Sequence, residues 1–193
     1  MISNKIGHRL DPYLEKAYKK VIGNRGNPNV LSLLGVVAIL GASYLLITDR
    51  WIGAGLMVIL SGFFDLLDGA IARDFNKVTP FGGFLDSVLD RYSDLFLFLA
   101  LLIYYLNKGN ATLVIVTGFA SIGTALIPYA RARAEAVQIP CSVGLMERAE
   151  RMILLSAGLL FHWMEPILWI LAIFTHTTVL HRIYYVWNKL KRP

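Results

Sequence analysis

A single cysteine, Cys141, stands among 193 residues, which excludes an internal disulfide and any cysteine-built metal cluster. Charge is scarce as well: Asp, Glu, Lys and Arg make up 17% of the chain, against about 25% in an ordinary soluble domain. No cleavable leader pattern opens the sequence. "MISNKIGHRLDPYLEKAYKKV" is polar and basic where a compact apolar run and a small-residue cleavage site would be needed. Polar connections long enough to build a domain outside a bilayer are missing too. What is abundant is apolar: 56% of residues are hydrophobic and mean hydropathy is +0.56. Apolar runs recur along nearly the whole length, which predicts an all-α polytopic membrane protein.

Six spans are expected, at about 30–48, 51–74, 84–106, 111–134, 143–161 and 166–187, each near the twenty residues needed to cross hydrocarbon at roughly 1.5 Å per residue. Six crossings leave both termini on one side. Of the nineteen Lys and Arg, all but Arg50 and Lys108 fall at the ends that share that side. The positive-inside rule makes it the cytoplasmic face of the cell membrane. The net charge of +6 is therefore a topology and anionic-lipid signal, not a nucleic-acid footprint. Residues 1–26 form the expected juxtamembrane arm, and 27–193 the membrane domain. In the arm Leu10, Tyr13, Leu14, Ala17, Tyr18 and Val21 recur at three- and four-residue spacing beside Lys16, Lys19 and Lys20. That pattern predicts an amphipathic helix lying in the interface.

Into this apolar background the stretch 65–90, "DLLDGAIARDFNKVTPFGGFLDSVLD", sets Asp65, Asp68, Asp86 and Asp90, with Asp94 one turn further. Asp65 and Asp68 share one helix face; Asp86, Asp90 and Asp94 share another. An unpaired Asp at the centre of a membrane helix costs about 2.5–3.5 kcal/mol, so the group demands a counter-charge that Arg73 alone cannot supply. All-oxygen carboxylates without His or Cys fit Mg²⁺ or Mn²⁺ better than Zn²⁺, and Mg²⁺ usually brings a substrate phosphate with it. Gly69, Gly82 and Gly83 would let a bulky ligand lie against the backbone. A polar packing patch, or a divalent-cation channel or transporter, would also place carboxylates in a membrane. Asp94 is open between supporting the site and simple packing.

Asp65, Asp68, Gly69, Ala72, Arg73, Gly82, Asp86 and Asp90 together reproduce D-x2-D-G-x2-A-R-x8-G-x3-D-x3-D in every position and spacing. On these residues the chain resembles the CDP-alcohol phosphatidyltransferases, six-helix membrane enzymes of phospholipid synthesis. The resemblance implies that Asp65, Asp68 and Asp86 bind metal, with Asp90 completing a site for two Mg²⁺ or Mn²⁺ ions and serving as general base. It gives Gly69, Arg73 and Gly82, beside Asp65, to the cytidine diphosphate part of the donor lipid. A homodimer is implied as well.

The acceptor has to be read elsewhere. "YARARAEAV" supplies Arg131 and Arg133, "GLMERAERMILL" supplies Glu147, Arg148, Glu150 and Arg151, and "TVLHRIYYVW" supplies Arg182. Span ends collect basic residues for topological reasons alone, but several arginines beside a metal site suit a second anion. This part resembles the phosphatidylinositol-phosphate synthases and their archaeal counterparts, which carry Tyr-x-Lys-Ala-Arg, Glu-Arg-x-Glu-Arg and a late arginine. Arg131 stands where that pattern has lysine, and Ala149 where bacterial members usually have proline. The resemblance implies transfer from CDP-diacylglycerol or CDP-archaeol to inositol phosphate, held by Arg131, Arg148 and Arg182, with Arg133 and Arg151 as weaker candidates. Glycerol 3-phosphate is the nearest alternative acceptor.

Overall fold

A computed structural model describes residues 28–74 and 79–191, the side chains of 72–74 excepted. The amphipathic arm expected over 1–26 lies outside the described residues. The described residues form six helices: α1 Pro28–Ile47, α2 Trp51–Asp74, α3 Pro80–Asn107, α4 Ala111–Ala136, α5 Arg148–Phe161 and α6 Met164–Lys191. No strand occurs among the described residues.

Local chemistry explains the ends. Thr79 caps α3 by accepting the Gly82 N–H at 2.9 Å, with Pro80 at the first helical position, where its missing N–H costs nothing. Asn110 caps α4 through the Leu113 N–H at 3.1 Å. Left-handed residues end four helices: Asp49 (φ 64°) after α1, Gly109 (φ 69°) after α3, Gln138 (φ 61°) after α4 and His162 (φ 58°) after α5.

Four helices, α1, α2 over Trp51–Ile71, α4 and α6, are long and apolar enough to cross a membrane. The other two depart from the expected spans. Helix α3 is long enough, but its first half carries Asp86, Asp90, Arg91 and Asp94. Helix α5 has only 14 residues, about 21 Å, because the chain before it is not helical. Pro140 and Gly144, the latter at φ 130°, hold 139–147 in an irregular path.

Among the described residues the helices close a ring. Helix α1 packs on α2 and α3, α2 on α5, α5 on α6, α6 on α4, and α4 on α3. Helices α2 and α3 do not pack on each other, so the two acidic faces are left with space between them. Ile39, Leu46, Val58, Leu97, Leu101, Leu155, Leu159, Leu168 and Leu171 fill the centre. Leu40, Tyr44, Leu56, Leu99, Ile115, Ile153, Ile173 and Ile183 point outward and stay exposed, as helices meeting lipid do. At Gly123, α4 comes so close to α6 that an added Cβ would run into the Thr175 side chain.

The three turns at the end away from the aspartates are tied together. Asp49 accepts hydrogen bonds from Trp51 Nε1 (2.7 Å) and Tyr104 Oη (3.0 Å) and pairs with Lys108 Nζ (2.9 Å). Trp51 also stacks on His162, ring centroids 5.3 Å apart. The Lys108, Trp51 and Tyr104 donors hold the Asp49 carboxyl well below the usual carboxylate range, at about 2. A depressed carboxylate stabilises the fold fully above its unfolded value of about 3.9 and loses that contribution as pH falls toward the folded one. Wild-type protein should therefore unfold at a higher temperature than Asp49→Asn at pH 5–7, with the gap closing between about pH 4 and 2. Thermal unfolding in detergent across that range checks it, and a pH-independent gap would refute it.

Candidate active site

The last turns of α2 and the first half of α3 bring the signature carboxylates to one end of the ring. Asp68 is buried and accepts the Ser32 hydroxyl of α1 at 2.5 Å. Asp65 pairs with Arg148, whose Nη1 also lies 2.9 Å from Asp90 Oδ1. One guanidinium from α5 thus bridges carboxylates of α2 and α3 across the space those helices leave open. Asp86 makes no hydrogen bond or ion pair among the described residues, yet Asp65, Asp68 and Asp90 each feel its charge.

Counting charge decides what this set lacks. Four carboxylates face Arg148 and, more distantly, Arg91, which lies 3.8 Å from Asp90. Among the described residues these two guanidiniums are the cations set against the four carboxylates, and excess charge in a low-dielectric setting is costly. Among the described residues no three acidic, His or Cys side chains are already drawn together as a metal cage. The fit rests instead on the donors: all are oxygens, Asp86 is unpaired, and Asp65 and Asp90 are joined by an arginine that can give way. Hard divalent cations suit that set. Gly82 has a local role too, since a Cβ there would press on Thr79 Oγ1 at 2.9 Å and disturb the α3 cap. Gly83 faces open space. Gly69 lies on α2 beside Asp68, and the Arg73 side chain lies outside the described residues.

A cleft of about 700 Å³ opens beside the carboxylates, lined by Asp90, Arg91, Arg131, Glu147, Arg148 and Arg182 among others. Four of the five arginines expected at an anion site, Arg131, Arg148, Arg151 and Arg182, therefore meet in one cavity. Arg131 is exposed and pairs with Glu135 at 2.8 Å. Arg182, only 2% exposed, donates to the carbonyls of Val143 (2.9 Å) and Ile127 (2.5 Å), tying α6 to the irregular segment and to α4. Arg133 goes elsewhere. Two residues apart on a helix means about 200° around it, so Arg131 and Arg133 cannot share the cleft; Arg133 lines a second cavity between α4 and α6. Arg151 edges the cleft but is already engaged, reaching Asp94 at 2.7 Å and the Met146 carbonyl at 3.2 Å. With Arg151 1% and Asp94 2% exposed, Asp94 is identified as the buried partner that ties α5 to α3 across the ring. Arg91 was not singled out from sequence. Its guanidinium lines the cleft between Asp90 and Asp94, with Nε buried and without a hydrogen-bond partner. Its place directly after Asp90 and three before Asp94 is the signal that could have found it.

The family model for CDP-alcohol phosphatidyltransferases matches residues 26–180. The chain belongs to that family. An archaetidylinositol phosphate synthase of Methanothermobacter thermautotrophicus is 38% identical over 168 residues, 83% of either chain. One of Pyrococcus horikoshii is 33% identical over 189 residues, 97% of this chain and 98% of that one. The crystal structure of Mycobacterium tuberculosis phosphatidylinositol phosphate synthase with CDP-DAG bound superposes with a TM-score of 0.80 at 28% identity, covering 93% and 94% of the two chains. Its form with manganese and citrate gives 0.79 at 29% identity, covering 91% and 88%. As a CDP-alcohol phosphatidyltransferase the chain is a membrane transferase of phospholipid biosynthesis, and the channel alternative falls away.

Within this phosphatidyltransferase the Asp94–Arg151 pair makes a stability prediction. Asp94→Ala leaves a guanidinium buried without its counter-charge, a loss of about 3–5 kcal/mol. Replacing both residues with apolar side chains of similar volume should recover much of it. Unfolding of the two variants in detergent checks this; equal losses would mean the pair is not the cause.

Proposed function

We propose that the enzyme transfers the phosphatidyl or archaetidyl group of a CDP-linked lipid to inositol phosphate and releases CMP. The observation that carries this reading is the convergence of Arg131, Arg148 and Arg182, from three helices, on one cleft edged by Asp90. An acceptor without a phosphate would leave three guanidiniums facing an empty cleft. The relatives' names support the same acceptor.

Asp65, Asp68, Asp86 and Asp90 hold two Mg²⁺ or Mn²⁺ ions, a reading supported by the all-oxygen donors and by the manganese form of the M. tuberculosis protein. Bound there, such ions offset charge on the pyrophosphate and the departing CMP oxygen. Arg148 then exchanges its contacts with Asp65 and Asp90 for the acceptor phosphate. Arg131 and Arg182 clamp the same anion, which orients one ring hydroxyl toward Asp90. Asp90 takes the hydroxyl proton as the oxygen attacks the lipid-linked phosphorus and the bond to CMP breaks. Gly69 and Gly82 let the cytidine diphosphate lie close to the backbone, and Arg73 adds a guanidinium to its phosphates. The chain crosses the cell membrane six times, with 139–147 completing the short fifth crossing. The basic bias puts the site and both termini on the cytoplasmic side, and the enzyme works as a homodimer.

Two outcomes test the chemistry. Chelation should abolish CMP release, and added Mg²⁺ or Mn²⁺ should restore it. Asp90→Asn should lower kcat by about 10²–10⁴, the usual worth of a positioned base. For the acceptor, CMP release is followed with CDP-diacylglycerol or CDP-archaeol and, separately, inositol phosphate, glycerol 3-phosphate, free inositol and serine. Turnover with inositol phosphate, and an acceptor KM raised at least tenfold in Arg148→Ala, are expected. Preference for glycerol 3-phosphate would overturn the acceptor and leave the reaction class standing.

A further inference from the structure

The second cavity, about 580 Å³, lies between the C-terminal halves of α4 and α6. Leu126, Val137, Val179, Ile183, Val186 and Leu190 give it almost wholly apolar walls. Its charged groups are Arg182, whose guanidinium is engaged on two backbone carbonyls, and Arg133. Arg133 is exposed and makes no ion pair among the described residues. Trp187 stands on the same rim, half exposed, with Lys191 over its ring at 3.7 Å. Apolar walls below a free guanidinium, with Trp and Lys at the same level, match one amphiphile: a tail in hydrocarbon and an anion at the membrane–water boundary. The volume falls in the range of ordinary ligand pockets.

We propose that this groove holds one anionic phospholipid of the surrounding leaflet, distinct from the donor lipid, with its phosphate on Arg133 and a tail along α4 and α6. A guanidinium suits a phosphate because it can donate two parallel hydrogen bonds. Tyr129 and Arg182 line both this groove and the reaction cleft, so the lipid packs against the back of the wall that holds the acceptor. The site stands whichever acceptor the enzyme takes.

Native mass spectrometry of the full chain, released from nanodiscs of phosphatidylcholine with phosphatidylglycerol, reads the site directly. Wild-type protein should retain one phosphatidylglycerol per chain in preference to phosphatidylcholine. Arg133→Ala, which removes the anion contact, and Val186→Trp, which fills the groove, should each weaken retention at least tenfold. Arg133→Lys should keep part of it. Added CDP-diacylglycerol should leave the bound lipid in place. Equal retention of phosphatidylcholine, or unchanged retention in both disruptive variants, would overturn the proposal. So would displacement by CDP-diacylglycerol, which would make the groove the donor's. A photo-crosslinker at Ile183 that joins two chains instead of a lipid would make it an interface between copies.

Discussion

A charge removed from water must be neutralised where it sits, and this requirement organises the molecule around helix α5. Arg148 lies between Asp65 and Asp90, and Arg151, one turn on, meets Asp94. The two contacts differ in kind. Arg151 and Asp94 are sealed in the core, so their pairing ties α5 to α3 across the ring. Arg148 is at the edge of an open cleft and joins Asp65 to Asp90. A buried ion pair thus lies one turn from a half-buried one, on a helix of only 14 residues.

The ring arrangement makes room for this. Helices α2 and α3 are consecutive in the chain, but both pack on α1 and not on each other. Their carboxylates therefore face a gap instead of a neighbouring backbone. At the opposite end the turns are drawn together by Asp49, Trp51, Tyr104, Lys108 and His162. One end of the bundle is closed by hydrogen bonds and ring contacts; at the other, Arg148 bridges carboxylates of α2 and α3 across a gap.

Two cavities share the wall formed by Tyr129 and Arg182. The helical period sends Arg131 into one and Arg133 into the other. A single short basic element thus contributes a guanidinium to each cavity. Arg182 joins these features by holding α4 and the irregular 139–147 segment with backbone hydrogen bonds. Its burial explains why it sits so deep in the last helix: it is a strut as well as a positive charge.

Much of this was legible in the sequence. Apolar runs of about twenty residues fix helices because hydrocarbon leaves backbone groups no other partner, and the boundaries of α1, α2 and α4 follow within two residues. The spacing of Asp65, Asp68, Asp86 and Asp90 determines which faces they occupy, and with it the family. Three things needed the tertiary structure. Helix α5 is short because Pro140 and Gly144 direct an irregular path that apolar content does not reveal. Asp94 belongs to Arg151, and Arg91 belongs to the cleft, because contacts between residues 57 apart or on different helices leave no periodic trace. Sequence order says which residues can share a face; only packing decides which faces meet.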